Sequence, residues 1–216
     1  VAQHTFAMLF YLLEKLPYYD RYVKDEKYIG DKMFTHFDKH FGELAKMTWG
    51  IIGLGNIGKR VADIAKAFGC RVIYYSTSGR NSQPGYERVS FEELLKESDI
   101  VSVHAPLDEN TLDLMNKEAF HQMKKTAIFL NLGRGPIVVE EDLAEALEQD
   151  EIAAAGLDVL RVEPMSPENP LRRIKDSEKL LITPHIAWAS VEARTRLMEI
   201  ICGQIQEFFS NGSPES

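Results

Sequence analysis

Trp49-Gly50-Ile51-Ile52-Gly53-Leu54-Gly55-Asn56-Ile57-Gly58 is the stretch on which the fold turns. A short apolar run enters a GxGxxG, and "KRVADIAKAF" (residues 59–68) follows with helical periodicity. Strand, tight turn and helix is the order that cradles a dinucleotide pyrophosphate. The first glycine permits the turn, the second admits phosphate to the backbone, and the third lets the helix pack close. The helix N-terminus then offers unbonded N–H groups to the anion. The spacing alone is weak; its setting gives it weight.

Downstream, short apolar runs alternate with amphipathic stretches, the pattern of repeated βαβ units and a parallel sheet. Strands are expected at 49–53, 71–75, 100–103, 127–131, 153–159 and 180–182, and helices at 57–68, 91–97, 117–122 and 140–149. A last helix is expected from about Ser190, as N-cap, to Phe209, with Glu192 favouring its dipole. This predicts an α/β class, a doubly wound Rossmann-type parallel sheet with flanking helices. Upstream, residues 1–16 are apolar almost all round a helix, so something must cover them, and a subunit or interdomain contact is expected. Residues 17–46 read as a second helix and a surface connection. The expected division is 1–46 for interdomain or dimerisation helices and connection, 47–189 for the dinucleotide-binding domain, and 190–216 for a crossover helix and tail, with "NGSPES" frayed. The opening lacks an initiator Met and a capping residue, which suggests a start within a longer chain.

Length and composition bound the partners. The 216 residues suffice for a sizeable core, and 25 basic against 33 acidic residues give a net charge of -8, no footprint for nucleic acid or an anionic membrane. Small molecules and a second copy are the expected partners, with a homodimer through helix 1–16. Cys70 and Cys202 form no CxxC, and no apolar run is long enough to span a bilayer, so a reducing, cytoplasmic setting is expected. His36 and His40 lie i, i+4 beside Asp31 and Asp38, but no third ligand has a defined place. A solvated connection without metal is the reading adopted.

Cofactor choice turns on the end of the second strand, where a ribose-binding acid belongs about 20 residues beyond the glycines. Ser76, Thr77, Ser78 and Arg80 stand there instead. Arg80 within reach of a 2'-phosphate favours NADP(H), while Ser76 bonded to the ribose of NAD is the competing reading. The remaining cofactor edge is expected from His104, Ala105, Pro106 and Thr111 after the third strand and from Leu132 and Gly133 after the fourth, beside Gly53, Gly55, Asn56, Ile57 and Gly58. His104 is expected to shape this rim rather than take part in chemistry.

In a parallel sheet the residues just after each strand gather at one edge. Arg134, Glu163 and His185 follow three later strands, and Asp158 ends one of them. Singly, each has a bland alternative: a surface ion pair, a proline turn, a satisfied strand-end histidine. Jointly they form the set that ketone reduction requires. Histidine supplies a proton near neutral pH, a carboxylate on its other ring nitrogen fixes the tautomer, and arginine grips a carboxylate bidentately.

The segments "GLGNIG", "VSVHAPL", "NLGRGPIV", "GLDVLRVEP" and "TPHIAWAS" occur in the order found in D-2-hydroxyacid dehydrogenases, which the chain resembles over essentially its whole length. The resemblance implies NAD(P)-dependent interconversion of a 2-oxoacid and its D-2-hydroxyacid, with Arg134, Glu163 and His185 matching the catalytic residues. It also implies that Asp158 contacts the nicotinamide carboxamide. The likeness is nearest to glycerate dehydrogenases, which reduce hydroxypyruvate, with Trp188 part of it; D-lactate dehydrogenase and glyoxylate reductase activities are the alternatives. In formate dehydrogenase relatives the position of Glu163 is expected to be Gln, so Glu163 argues for 2-oxoacids. A cofactor-sensing corepressor of the same architecture is the reading from a different class. Members carry an N-terminal segment that builds most of a substrate domain, so this chain is expected to bind cofactor and turn over poorly.

Overall fold

Strand β1 (Thr48–Ile52) is flanked by two parallel partners, β2 (Arg71–Tyr75) and β4 (Ile100–Val103). Its alternation sends Trp49 and Ile51 into one apolar layer and Ile52 into the other. Because both faces are covered, such strands read as unbroken apolar runs. The same holds for β4, β5 (Ile128–Asn131) and β6 (Ala154–Leu157), each buried at every residue. The computed structural model describes residues 1–80 and 82–210, so the expected frayed tail at 211–216 lies outside the described residues. Within them, one parallel sheet runs in the order β3-β2-β1-β4-β5-β6-β7, with β3 at Glu87–Arg88 and β7 at Leu180–Ile182.

The six expected strands are all present, and β3 is an addition. Its two residues pair with Ile73 and Tyr74 at the sheet edge, too short a run to show periodicity. The expected strand 153–159 is shorter, because the chain leaves the sheet at Asp158 to build a turn. On one face lie α4 (Phe91–Glu97), α5 (Lys117–Gln122) and α6 (Glu140–Glu148); on the other lie α1 (Ala2–Leu13) and α3 (Asn56–Ala67). Local capping starts two of them: Ser90 Oγ accepts from Glu93 N at 3.1 Å, and Asn116 Oδ1 accepts from Ala119 N at 3.1 Å. Ser190 likewise caps α7 (Val191–Ser210) by accepting from Ala193 N at 3.2 Å.

The expectation for residues 1–16 requires correction. The helix stops at Leu13, Lys15 takes a left-handed backbone (φ 55°), and α2 (Leu16–Lys24) begins with Pro17 in its first turn, where a missing N–H costs nothing. The cover comes from the same chain. Phe6, Met8, Leu9, Leu12 and Leu13 are buried against the sheet, with the Phe6 ring 4.9 Å from that of Trp49. Each such burial stabilises by roughly 1.5–3 kcal/mol. The apolar face of this helix is thus covered within the chain, while Phe10 and Tyr11 stay partly exposed; a homodimer through the helix is neither shown nor contradicted by this packing. Large apolar side chains are exposed elsewhere, at Ile29, Phe34 and Phe37 and along α7, which buries none of its residues. Among the described residues no helix is long and apolar enough to cross a membrane. His36 is not simply solvated: it stacks on Tyr22 at 3.8 Å and hydrogen-bonds the Tyr18 hydroxyl at 2.8 Å, while His40 is exposed.

Strand order reverses between β1 and β4. The chain runs outward from β1 to β3 and returns on the other side for β4 to β7, which opens a crevice above the carboxyl ends at the switch point. Later strand ends then line up beside it.

Candidate active site

The glycine turn sits at that crevice. Gly53 has φ +91°, and a Cβ there would lie 2.8 Å from the Cα of Ala105, at the end of β4. A Cβ on Gly58 would meet the Gly53 carbonyl oxygen at 2.3 Å, so the third glycine is what brings α3 against the turn. Gly55 differs: a Cβ there would meet nothing within 4 Å. Asn56 and Ile57 open α3 beside it and are exposed, so the start of the helix lies at the surface.

At the end of β2, Ser76 is buried and its carbonyl accepts from Gly79 N at 3.0 Å, closing a tight turn that leaves Ser78 and Arg80 exposed. Arg88 of β3 donates to the Gly79 carbonyl at 2.9 Å. Sequence reading missed Arg88 because it missed β3.

The rim after β4 is held by buried polar contacts. His104 Nε2 lies 3.1 Å from Ser102 Oγ, which also accepts from Trp49 Nε1 at 2.9 Å. Burial pushes the His104 imidazole down to about 3, so the ring is neutral. Its Nδ1 is buried without a hydrogen-bond partner among the described residues. Thr111 is buried and donates to the Pro106 carbonyl at 2.8 Å, which folds the loop after Ala105 back on itself.

After β5, Asn131 braces the turn: its Oδ1 accepts from Gly133 N and its Nδ2 donates to the Arg134 carbonyl, both at 3.0 Å. Leu132 is buried, and Arg134 is exposed with Nη1 donating to the Gly133 carbonyl at 2.8 Å. Gly135 is required by close approach, since a Cβ there would fall 1.9 Å from the Leu160 carbonyl oxygen. The turns carrying Arg134 and Glu163 are thus pressed together, although Arg134 makes no ion pair with Glu163.

Glu163 and His185 do meet. Glu163 Oε2 lies 2.7 Å from His185 Nδ1, and Oε1 accepts from Leu160 N at 2.7 Å. The loop is anchored from behind by buried Glu140, which accepts from Arg161 N at 2.7 Å and Asn169 Nδ2 at 2.8 Å. His185 itself has φ 54°, a left-handed backbone that needs support from its surroundings. Asp158 gives that support: Oδ1 accepts from Thr183 Oγ1 at 2.5 Å and Ile186 N at 2.9 Å, and Oδ2 accepts from Ala187 N at 2.8 Å. A cavity of about 440 Å³ opens here, lined by Asp158, Leu160, Glu163, Met165, Thr183 and His185.

A parallel sheet with a glycine cradle at its switch point is a Rossmann-type dinucleotide-binding domain. Residues 6–187 match the family described as "D-isomer specific 2-hydroxyacid dehydrogenase, NAD binding domain", and the chain belongs to that family. A hydroxypyruvate reductase of Blautia hydrogenotrophica is 37% identical over 99% of this chain and 66% of its own length. A D-lactate dehydrogenase of Aquifex aeolicus, solved with NAD and lactic acid, superposes with a TM-score of 0.87 at 29% identity over 97% of this chain and 66% of that one. An acyclic imino acid reductase, solved with NADPH and D-Arg, gives a TM-score of 0.84 at 31% identity over 97% of this chain and 64% of that one. The chain spans about two thirds of the length of these relatives.

The residues fit the dinucleotide that this family implies. The open face of Gly55, between two glycines closed by backbone, is the space a pyrophosphate needs at a helix N-terminus.

Proposed function

We propose that this chain carries the cofactor and proton-transfer machinery for interconverting a 2-oxoacid and its D-2-hydroxyacid, with hydroxypyruvate and D-glycerate the preferred pair. The observation that carries this reading is the 2.7 Å contact between Glu163 Oε2 and His185 Nδ1. It leaves His185 Nε2 for the substrate. When bound, a reduced nicotinamide supplies the hydride. His185 Nε2 then donates a proton to the carbonyl oxygen, and in the oxidising direction the neutral ring takes that proton back. Glu163 holds the ring in position through its contact with Nδ1. Arg134, exposed on the turn that packs against Leu160, grips the substrate carboxylate.

Asp158 takes a part beside the carboxamide contact that the resemblance implies. Three donors from the 183–187 turn reach its oxygens, which supports a role in bracing His185, and Oδ2, with one of them, keeps acceptor capacity for the cofactor. NADP(H) is favoured over NAD by the exposed Arg80 and by the missing carboxylate after β2.

The test is to follow oxidation of NADPH and NADH by this chain with hydroxypyruvate, glyoxylate and pyruvate. Slow, substrate-dependent oxidation is expected, fastest with hydroxypyruvate and reduced roughly 10²–10⁴-fold by His185→Asn. Turnover unaffected by that substitution would overturn the assignment of His185.

A further inference from the structure

His4 stands far from the site in sequence and carries no role in the proposal above. It lies on α1, with Nε2 3.0 Å from Thr183 Oγ1 and 3.4 Å from Asp158 Oδ1. The Thr183 hydroxyl has one proton, and at 2.5 Å it gives that proton to Asp158. Towards His4 it can therefore only accept, so His4 Nε2 carries hydrogen and is the donor. Asp158 is buried, and buried carboxylate oxygens need every donor in reach. Two of its partners are the backbone N–H groups of Ile186 and Ala187, the two residues that directly follow His185 and its left-handed bend.

We infer that His4 is a positioning residue: helix α1, through His4, clamps the Thr183–Asp158 pair and thereby fixes the turn that presents His185. This deepens the proposed function and rests on it where proton transfer is concerned; the clamp itself does not. The helix is a rigid support, packed on the sheet by Met8, Leu9 and Leu12. A side chain on it can hold the turn more firmly than the exposed α7 that follows.

The test compares His4→Leu, which removes the donor, with His4→Gln, whose amide places a donor near the position of Nε2. Hydrogen exchange at Ile186 and Ala187 is expected to accelerate about tenfold in His4→Leu, corresponding to one weakened hydrogen bond. Amides of β1 should be unchanged, and His4→Gln should restore protection. Should His4→Leu fail to fold, His4→Asn, polar but too short to reach Thr183, gives the same reading. Unchanged exchange at Ile186 and Ala187, or equal acceleration in β1, would overturn the clamp. Neither readout requires turnover, so the two ideas fail separately. A loosened turn together with turnover indifferent to His185→Asn would overturn the catalytic reading while supporting the clamp.

Discussion

The two halves of the sheet's carboxyl edge are built from different materials. Beside β1 the working surface is backbone: three glycines, one of them open to the crevice, and the first turn of α3. Beside β6 and β7 it is side chains, with Asp158, Glu163, Thr183 and His185 bonded to one another or to nearby backbone. The contrast matches the tasks proposed for the two halves. A diphosphate is recognised by N–H groups and a helix dipole, for which side chains are obstacles, whereas proton transfer needs titratable groups held in register. Substitutions should therefore separate binding from stability in one half and fuse them in the other.

The largest effect is expected where that fusion is tightest. Gly135→Ala would drive a Cβ to within 1.9 Å of the Leu160 carbonyl oxygen, backbone against backbone, with no flexible side chain to yield. A loss of about 3 kcal/mol in chemical denaturation is expected, at the upper end of the overpacking range. Any turnover should fall with it, since the Arg134 and Glu163 turns part.

Next comes a pH effect at the rim between the halves. The His104 imidazole is held near 3 by burial, against 6.5 when exposed. The unfolded chain thus binds a proton that the folded one refuses. Stability from this group is complete above about 6.5 and declines as pH falls towards 3, by at most about 1.4 kcal/mol per pH unit. His104→Gln, which keeps a polar group opposite Ser102, should flatten denaturation midpoints measured between pH 7 and 5. An equally steep variant would place the titrating group elsewhere.

Gly55→Ala should show the opposite pairing from Gly135→Ala. Its Cβ meets nothing within 4 Å and its φ is -83°, so the melting temperature should hardly move. Dinucleotide binding, followed by fluorescence titration, should weaken about tenfold, or ~1.4 kcal/mol. A destabilised variant with normal binding would mean that the turn is closed by something other than a ligand.

The same division of materials explains what the sequence discloses. Glycine spacing is a local signal, so the cradle is legible in ten residues, as are strands whose apolar runs are unbroken. The meeting of Glu163 with His185 is reachable once the strands are placed in parallel, because their ends share an edge. The His4–Thr183 contact is not: it joins residues 179 apart, and nothing in the period of α1 marks His4 from its neighbours. The apolar circumference of α1 misleads for a related reason, since periodicity shows that a helix is covered without showing by what. β3 escapes because two residues have no period.

Arg80 tests the smallest effect and the part of the backbone-built half that side chains decide. The turn after β2 leaves its guanidinium exposed, with Ser76 buried beneath and Arg88 bonded to the Gly79 carbonyl alongside. An exposed pairing with a 2'-phosphate is weakened by solvent, so Arg80→Ala should weaken NADPH binding only a few-fold, within about 1 kcal/mol, and leave NADH binding unchanged. Loss should be greatest at low ionic strength, where a charge contact is least screened. If NADPH and NADH weaken together, Arg80 shapes the turn. If neither changes and NADH binds more tightly in the native chain, the buried end of β2 serves a ribose without phosphate, and the cofactor edge is backbone-built throughout.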